Sequence, residues 1–200
     1  KAAANQGAEI AFSFQMEGFG KRLAPLSDSI GSNIRIECDV AAEGAVQSCF
    51  DDLAQHWPQI DFVVHALAYS DKAELKGAYL DTSRDNFTNT MMVSAYSFTE
   101  VARAARPMMA DGGALLTLSY IGAQRITPNY NVMGVAKAAL EASVRYLAVD
   151  LGGENIRVHG LSAGPIRTLA GAAIGGARPI FRHSETHAPL RRHPGLAAGV

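Results

Sequence analysis

Two tyrosines and a lysine in one stretch of this sequence have the residue types and spacing to transfer a proton. The stretch is SYIGAQRITPNYNVMGVAK, residues 119–137, with Tyr120 near its start and Tyr130 seven positions before Lys137. Seven residues are close to two helical turns, so Tyr130 and Lys137 would project from one helix face about 10 Å apart along the axis. A tyrosine is a useful acid at neutral pH when a lysine cation and a nucleotide hydroxyl stabilise its anion.

The spacing alone is weak evidence, because Tyr69 and Lys76 have the same separation. Context favours Tyr130, which follows a Pro-Asn helix-start signal just after a predicted strand, where parallel sheets bind ligands. Tyr69 instead leads into a polar loop. Tyr120 closes the predicted strand and could enter the same crevice, or it could be an amphipathic aromatic that covers the edge of the core.

The elements that must position these residues alternate along the chain. Short β-rich runs are predicted as strands over 8–15, 34–40, 60–69, 113–122 and 156–164. Apolar residues at three- and four-residue spacing predict helices over 18–30, 43–57, 84–109 and 129–151, the last ended by Gly152 and Gly153 in a left-handed cap. This order predicts one α/β domain over residues 1–200: a Rossmann-like, doubly wound parallel sheet between two helical layers, incomplete at both ends.

Composition limits the functional classes. The formal charge of −1 is spread along the chain and gives no sign of a nucleic-acid or anionic-membrane partner. Cys38 and Cys49 lie in apolar runs, which favours buried free thiols in a reducing compartment, so we expect a cytoplasmic protein. The chain opens on Lys1 inside a helical pattern, which we interpret as the sign of a fragment.

A resemblance narrows the prediction further. The segment SYIGAQRITPNYNVMGVAKAALEASVRYLA, together with SAGPIRTLA downstream, resembles the bacterial NADH-dependent enoyl-acyl-carrier-protein reductases, a divergent branch of the short-chain dehydrogenase/reductase superfamily. The similarity also includes GAEIAFSFQ, CDV and DFVVHALAYSDKAEL, and so runs through nearly the whole chain. The ordinary branch of the superfamily uses Tyr-x3-Lys, whereas Met133 stands four positions before Lys137 and the tyrosine three further back. That spacing is the enoyl-reductase variant.

The resemblance implies an activity and roles for the site residues. The activity is reduction of the trans-2 double bond of enoyl thioesters on acyl carrier protein by NADH, the final reductive step of fatty-acid elongation. Tyr130 would contact the thioester carbonyl and stabilise the enolate, and Lys137 would hold the nicotinamide ribose. Tyr120 would line the acyl pocket as a second active-site tyrosine, and Ser70 would be a further substrate residue.

The cofactor residues are carried over in the same way. Gln15 would contact the adenosine ribose, Asp39 and Val40 would flank adenine, and the backbone at Leu67 would pass the cofactor. The segment that covers nicotinamide and pyrophosphate would comprise Ile166, Arg167, Thr168, Leu169 and Ala170. An amide rather than a basic residue at position 15 fits NADH better than NADPH. Taken alone, Asp39 would more often be a turn residue and SAGPIRT an ordinary loop.

The end of the chain is predicted to differ in character. Residues 170–200 would be a mobile substrate-binding segment and a divergent tail. Arg178 and Arg182 share a face if this segment is helical and could meet the acidic surface of acyl carrier protein. The spacing of His183 and His187 could bind metal, but HSETH lacks the HExxH order, so no metal is expected.

The sequence also departs from the family pattern. The family begins with a central strand and a glycine-containing turn that cradles pyrophosphate, and this chain starts after both, so we expect a gap in the sheet and poor NADH binding by the sequence as given. The family's last strand and helix are also missing. Ala68 stands where many members have Gly, and His159 where many have Asn.

Two alternatives to the enoyl reductase stay open. One is a short-chain ketoreductase or alcohol dehydrogenase, against which Met133 speaks, and the other is a catalytically silent nucleotide-binding relative. The family commonly forms tetramers through the helices predicted over 84–109 and 129–151, so a homotetramer is expected.

Overall fold

The computed structural model describes residues 1–164, in which five strands alternate with helices. The strands are β1 (Phe12–Phe14), β2 (Arg35–Glu37), β3 (Phe62–His65), β4 (Gly113–Ser119) and β5 (Ile156–Ser162). The α-helices are α1 (Ala2–Asn5), α2 (Glu17–Asp28), α3 (Ala45–Ala54), α4 (Arg84–Met91), α5 (Ser97–Ala105) and α6 (Asn131–Gly152). Each of the five predicted strands and four predicted helical regions is present in the predicted order, which confirms the Rossmann-like α/β fold.

The strands pair in parallel, but in two separate groups. β1 pairs with β2, and the other three strands follow the order β3-β4-β5. Within residues 1–164 no strand joins β1 to β3, so the gap expected between these two strands is present. The open position leaves Phe62 and Val64 of β3 40% and 52% exposed. The predicted doubly wound sheet is therefore correct in direction and connectivity, and it is interrupted between β1 and β3.

The helix predicted over 84–109 is divided into several parts. α4 begins at Ser83, whose hydroxyl accepts a hydrogen bond from the Asn86 N–H, and a π-helical segment, Met92–Tyr96, then joins α4 to α5. Arg106–Met108 continues as a 3-10 helix that contains a proline. A π-helical turn inserts one extra residue and so re-aims the side chains that follow it.

The predicted cap at the end of α6 is wrong in its residues. Gly153 has a right-handed backbone with φ −64°, and the left-handed residue is Asn155, with φ +58°. Asparagine tolerates this conformation because its short polar side chain can hydrogen-bond locally. The turn therefore reverses two residues later than the glycines suggested.

One hydrophobic core joins both groups of strands. Most of its buried members come from α3, α5, α6, β4 and β5, with Phe98, Leu115, Leu140 and Ile156 almost fully enclosed. Val40, which follows β2, packs against the same cluster. The core therefore anchors the inner face of α6, the helix that carries Tyr130 at its start and Lys137 in its second turn.

The two cysteines are free, as expected, and they lie together. Cys38 follows β2 and Cys49 is in α3, and both are half-buried. A hydrogen bond from the Cys49 thiol is the main reason that the pKa of Cys38 is lowered, and the same bond raises the pKa of Cys49.

Candidate active site

Tyr120 and Tyr130 meet at the carboxyl end of β4. Tyr130 is the residue at which α6 begins and is 5% exposed, and Tyr120 directly follows β4. Their rings form an edge-to-face pair with centroids 5.0 Å apart and an interplanar angle of 66°. The structure therefore brings together the two tyrosines that the sequence singled out.

Two glycines allow this close packing. Gly122 lies in the 3-10 turn Ile121–Ala123, and a Cβ atom there would come within 2.5 Å of the Tyr130 ring and 3.2 Å of the Tyr120 ring. A Cβ on Gly134 of α6 would come within 2.9 Å of the Gly122 carbonyl oxygen. Both contacts are too short for any residue with a side chain, so these glycines set the distance between the turn and α6.

Tyr130 is a protonated donor in this environment. Burial is the larger reason that its pKa is raised, and the neighbouring Tyr120 is the smaller one. Both causes favour the protonated phenol. Tyr130 can therefore donate a hydrogen bond at neutral pH, which is the role of an oxyanion stabiliser rather than of a base.

Lys137 is buried beside the same strand end. Its Nζ donates a hydrogen bond of 2.7 Å to the Leu118 carbonyl oxygen, and the residue is 5% exposed. Burial lowers its pKa to about 8. Within the described part of the chain, Leu118 O is the one partner seen for Nζ. An ammonium group has three donors, so two are left for the neighbouring hydroxyls of a ribose, and the residues present fit a nucleotide cofactor.

A carboxylate one turn further along α6 ties down the segment between β4 and α6. Glu141 accepts a hydrogen bond of 2.7 Å from the Ser119 hydroxyl through Oε1 and one of 3.2 Å from Gln124 Nε2 through Oε2. Ser119 is the last residue of β4, and Gln124 follows the 3-10 turn. Both ends of the segment that carries Tyr120 are therefore attached to one side chain.

A buried histidine links β3 to β4 and to α5. His65 Nε2 lies 2.8 Å from the Ser97 hydroxyl, which itself donates to the Val93 carbonyl oxygen, so Nε2 carries the proton. His65 Nδ1 is then free to accept from the Thr117 hydroxyl at 2.9 Å. Burial is the main reason that the pKa of His65 is lowered to about 4, so the ring is neutral near pH 7.

The loop after β3 is held by side chains of α4 and the π-helical segment. Ser94 bonds both the N–H and the carbonyl oxygen of Tyr69, at 2.9 and 3.0 Å. Asn86 Oδ1 accepts from the Ser70 hydroxyl at 3.2 Å and from the Asp71 N–H at 2.9 Å. Ser70, predicted as a substrate residue, is thus fixed by Asn86. The strand predicted over 60–69 ends at His65, and the backbone of Tyr69 bonds Ser94 instead of a neighbouring strand.

The predicted cofactor residues lie after the ends of the strands, whereas the strands predicted over 8–15, 34–40 and 60–69 included them. Gln15 follows β1 and is exposed, and Leu67 follows β3 and is 37% exposed. Asp39 and Val40 follow β2, and Asp39 Oδ1 accepts a hydrogen bond of 3.0 Å from the Ala41 N–H. Asp39 is therefore a turn residue in this structure, which leaves its second carboxylate oxygen available to a ligand.

Several predictions fall outside the described residues. These are the nicotinamide segment Ile166, Arg167, Thr168, Leu169 and Ala170, the carrier-protein contacts Arg178 and Arg182, the pair His183 and His187, and the mobile segment 170–200.

The sequence reasoning missed five residues that shape the site. They are His65, Asn86, Gly122, Gly134 and Glu141. A histidine inside the apolar run DFVVHALAY and a glycine inside an otherwise regular helix were the available signals for His65 and Gly134. Nothing in the local pattern distinguished Asn86 or Glu141 from solvent-facing helix residues.

Comparison with known proteins identifies a consistent set of relatives. A family model described as enoyl-(acyl carrier protein) reductase matches residues 1–197. The enoyl-[acyl-carrier-protein] reductase [NADH] 2 of Rhizobium meliloti is 55% identical over 96% of this chain and 72% of its own length. The corresponding FabI protein of Rickettsia felis is 49% identical over 96% of this chain and 74% of its own length.

Solved structures agree with this match. The enoyl-(acyl-carrier-protein) reductase of Anaplasma phagocytophilum, crystallised with NAD, superposes with a TM-score of 0.90 at 52% identity and covers 96% of this chain and 73% of that one. The Bacillus cereus enoyl-acyl carrier protein reductase, crystallised with NADP+ and an indole naphthyridinone, gives a TM-score of 0.92 at 44% identity, with 96% of this chain and 76% of that one covered.

Proposed function

The chain belongs to the enoyl-(acyl carrier protein) reductase family, and on that premise we propose that Tyr120, Tyr130 and Lys137 are its catalytic residues. The protein is an NADH-dependent reductase of the trans-2 double bond of enoyl thioesters carried on acyl carrier protein, the final reductive step of fatty-acid elongation. The observation that carries the assignment of the site is the cluster of these three side chains at the carboxyl end of β4.

Tyr130 stabilises the negative charge that develops on the thioester oxygen. When a hydride reaches the β-carbon of the enoyl group, electron density moves to the carbonyl oxygen, and a hydrogen-bond donor there lowers the barrier. The buried, protonated hydroxyl of Tyr130 supplies this donor because burial keeps its pKa raised. Tyr120 packs edge-on against Tyr130, and we propose that Tyr120 and Ser70 line the acyl side of the pocket.

Lys137 holds the cofactor through its ribose hydroxyls. NADH bound at the strand ends supplies the hydride. Lys137 is anchored to Leu118 O, which leaves two of its three donors for the ribose hydroxyls. Gln15, Asp39 and Val40 contact the adenosine end, and the backbone at Leu67 passes the middle of the cofactor; these contacts remain a proposal. The amide of Gln15 favours NADH over NADPH, because it offers no positive charge to a 2′-phosphate.

The alternative of a ketoreductase is disfavoured by Met133. This residue occupies the position of the tyrosine in the commoner branch of the superfamily, and it is buried, with its sulfur 3.7 Å from the Ser94 hydroxyl. A thioether has no proton to give to a ketone oxygen.

We further propose a cytoplasmic homotetramer that recognises acyl carrier protein. Within residues 1–164, no helix combines the length and apolarity that a bilayer crossing requires. The free thiols of Cys38 and Cys49 favour a reducing compartment. Exposed apolar side chains on α6, Tyr146 at 76% and Val149 at 82%, support association through this helix. Arg178 and Arg182 stay predicted contacts with the carrier protein.

The test is a comparison of two thioesters of acyl carrier protein. The full-length protein should oxidise NADH with the crotonyl thioester and show at least a hundredfold lower kcat/KM with the acetoacetyl thioester. NADPH should replace NADH poorly. Turnover of the ketone alone would contradict the assignment.

A further inference from the structure

Glu141 occupies an unusual position for a charged helix residue. It lies one turn after Lys137 on α6 and is half-buried rather than directed into solvent. Its two carboxylate oxygens accept from different partners, Oε1 from the buried Ser119 hydroxyl and Oε2 from Gln124 Nε2. Ser119 and Gln124 are the two ends of one short segment, so a single side chain fastens both.

The fastened segment is rigid between its ends. Backbone hydrogen bonds from the Ala123 N–H to the Tyr120 carbonyl oxygen, at 2.9 Å, and from the Gln124 N–H to the Ile121 carbonyl oxygen, at 3.0 Å, close the 3-10 turn. A segment closed in this way moves as a unit. A shift at either end therefore displaces Tyr120 and Gly122 together.

The segment transmits its position to both tyrosines. Tyr120 belongs to it and meets Tyr130 edge-on at 5.0 Å. Gly122 lies under the Tyr130 ring, so close that a methyl group would not fit between them. The positions of both rings therefore depend on where the segment sits on α6, and Glu141 is the side chain that holds it there at both ends.

We propose that Glu141 is a positioning residue that sets the geometry of the Tyr120–Tyr130 pair for catalysis. This inference rests on the proposed function, because the tyrosine pair is taken as the site of carbonyl stabilisation. Glu141 acts through the segment 119–124 and not through substrate or cofactor. Its chemistry suits the task, because both partners donate hydrogen bonds and a carboxylate offers only acceptors.

A comparison of two substitutions at Glu141 separates the effect of its hydrogen bonds from the effect of its side-chain volume. Glu141→Ala removes both hydrogen bonds. Glu141→Gln can keep both: its carbonyl oxygen accepts from Ser119, and its amide donates to the carbonyl oxygen of Gln124 once that side chain turns over. Ser119→Ala and Gln124→Ala each remove one bond, and Gln124 is exposed, so its replacement leaves the fold intact. Ser143→Ala is the matched control, because the Ser143 hydroxyl bonds the Ala139 carbonyl oxygen within α6 itself.

The experiment measures turnover of the crotonyl thioester, NADH affinity and unfolding for the full-length variants. Glu141→Ala should lower kcat at least tenfold and leave the Kd for NADH within twofold, while Glu141→Gln and Ser143→Ala should stay within threefold of the wild type. In a Tyr130→Phe background, Glu141→Ala should lower the residual kcat less than twofold, since the ring hydroxyl through which it acts is gone. A purely structural role would give the same loss in both backgrounds.

The possible outcomes distinguish failure of the positioning role of Glu141 from failure of the proposed function on which it rests. Wild-type kcat in Glu141→Ala, equal losses in the two backgrounds, or a Glu141→Gln variant as impaired as Glu141→Ala would overturn the positioning role. Tyrosine ring signals in NMR spectra of the ligand-free protein provide an independent readout, and those of Tyr120 and Tyr130 should shift in Glu141→Ala but not in Ser143→Ala. Absence of turnover in the wild type would overturn the proposed function, whereas unshifted ring signals would overturn the positioning role itself.

Discussion

At the residue scale, Tyr130 and Lys137 lie on one helix, but their substitution is expected to affect different properties: kcat for Tyr130 and the affinity for NADH for Lys137. Tyr130→Phe keeps the edge-to-face packing against Tyr120 and removes the donor, so kcat should fall at least a hundredfold while the Kd for NADH changes less than twofold. Lys137→Ala removes the ribose contact, so the Kd for NADH should rise at least tenfold. Stopped-flow turnover and fluorescence titration with NADH measure the two effects. Unchanged NADH affinity in the lysine variant would contradict its ribose role.

His65 should make the stability of the protein depend on pH. Its pKa is lowered from an ordinary value of about 6.5 to about 4, chiefly by burial and secondly by the charge of Lys137. Between these values the unfolded chain binds a proton that the folded protein does not, so stability is present above pH 6.5 and is lost as the pH falls towards 4. The expected loss in the free energy of unfolding between pH 7.5 and 5.0 is about 2 kcal/mol.

Urea unfolding at the two pH values checks this prediction. In His65→Gln, most of the change in the free energy of unfolding between the two pH values should disappear. In His56→Gln, at an exposed position after α3, that change should remain. An equal pH dependence in the wild type and in His65→Gln would show that other groups are responsible.

At the element scale, the packing of the 3-10 turn on α6 is set by glycines and not by the amphipathic pattern of the helix. Gly122→Ala should push the Tyr130 ring aside, because the added Cβ would lie 2.5 Å from it. Overpacking of this kind costs about 1–3 kcal/mol of stability. We expect kcat to fall at least tenfold, with a lower Tm in circular dichroism melts.

Gly152→Ala provides the control for this substitution. It lies at the end of α6 with nothing within 4 Å of the added Cβ and with no positive φ. Alanine there should leave kcat unchanged and stability unchanged or slightly raised. A Gly122→Ala variant that behaved like Gly152→Ala would show that the turn can move without disturbing Tyr130.

The π-helical segment is the other element with a consequence for the site. Met92–Tyr96 places Ser94 against both backbone groups of Tyr69 and leaves Ser97 to close the hydrogen bonds of His65. An uninterrupted α-helix over the same residues would rotate one of these serines away from its partner. The π-helical segment therefore fixes both the loop after β3, through Ser94, and β3 itself, through the hydrogen bond of Ser97 to His65.

At the scale of the whole molecule, α6 contributes to the site with one face and exposes apolar residues on another. Val149→Asp should weaken the proposed tetramer, because a carboxylate on an exposed apolar face costs desolvation when a second copy covers it. Analytical ultracentrifugation should show tetramers for the wild type and smaller species for the variant. Arg145→Ala is a comparison on the same helix, and identical assembly of Val149→Asp and the wild type would place the interface elsewhere.

The gap between β1 and β3 was expected from the resemblance to the reductase family, whereas the alternation of strands and helices and their parallel direction could be predicted from the sequence pattern. The reason is that burial on both faces of a strand and on one face of a helix leaves a periodic record in the chain. The spacing of Tyr130 and Lys137 is local to one helix, but Tyr69 and Lys76 share it, so the pair was recognised from its context and from the resemblance. Segment boundaries moved by a few residues: the strand predicted to reach Tyr69 ends at His65, and the Tyr69 N–H donates to the Ser94 hydroxyl, a partner distant in sequence.

The remainder of the site was decided only by the tertiary structure. Glu141, Asn86, Gly122 and the tautomer of His65 depend on partners that are distant in sequence, such as Thr117, 52 positions from His65. The identity of a residue determines which hydrogen bonds it can make, and the fold determines which partner is within 3 Å. The sequence by itself therefore determined the chemistry available to this protein, and the packing of β4 and its turn on α6 decided how those groups are aimed.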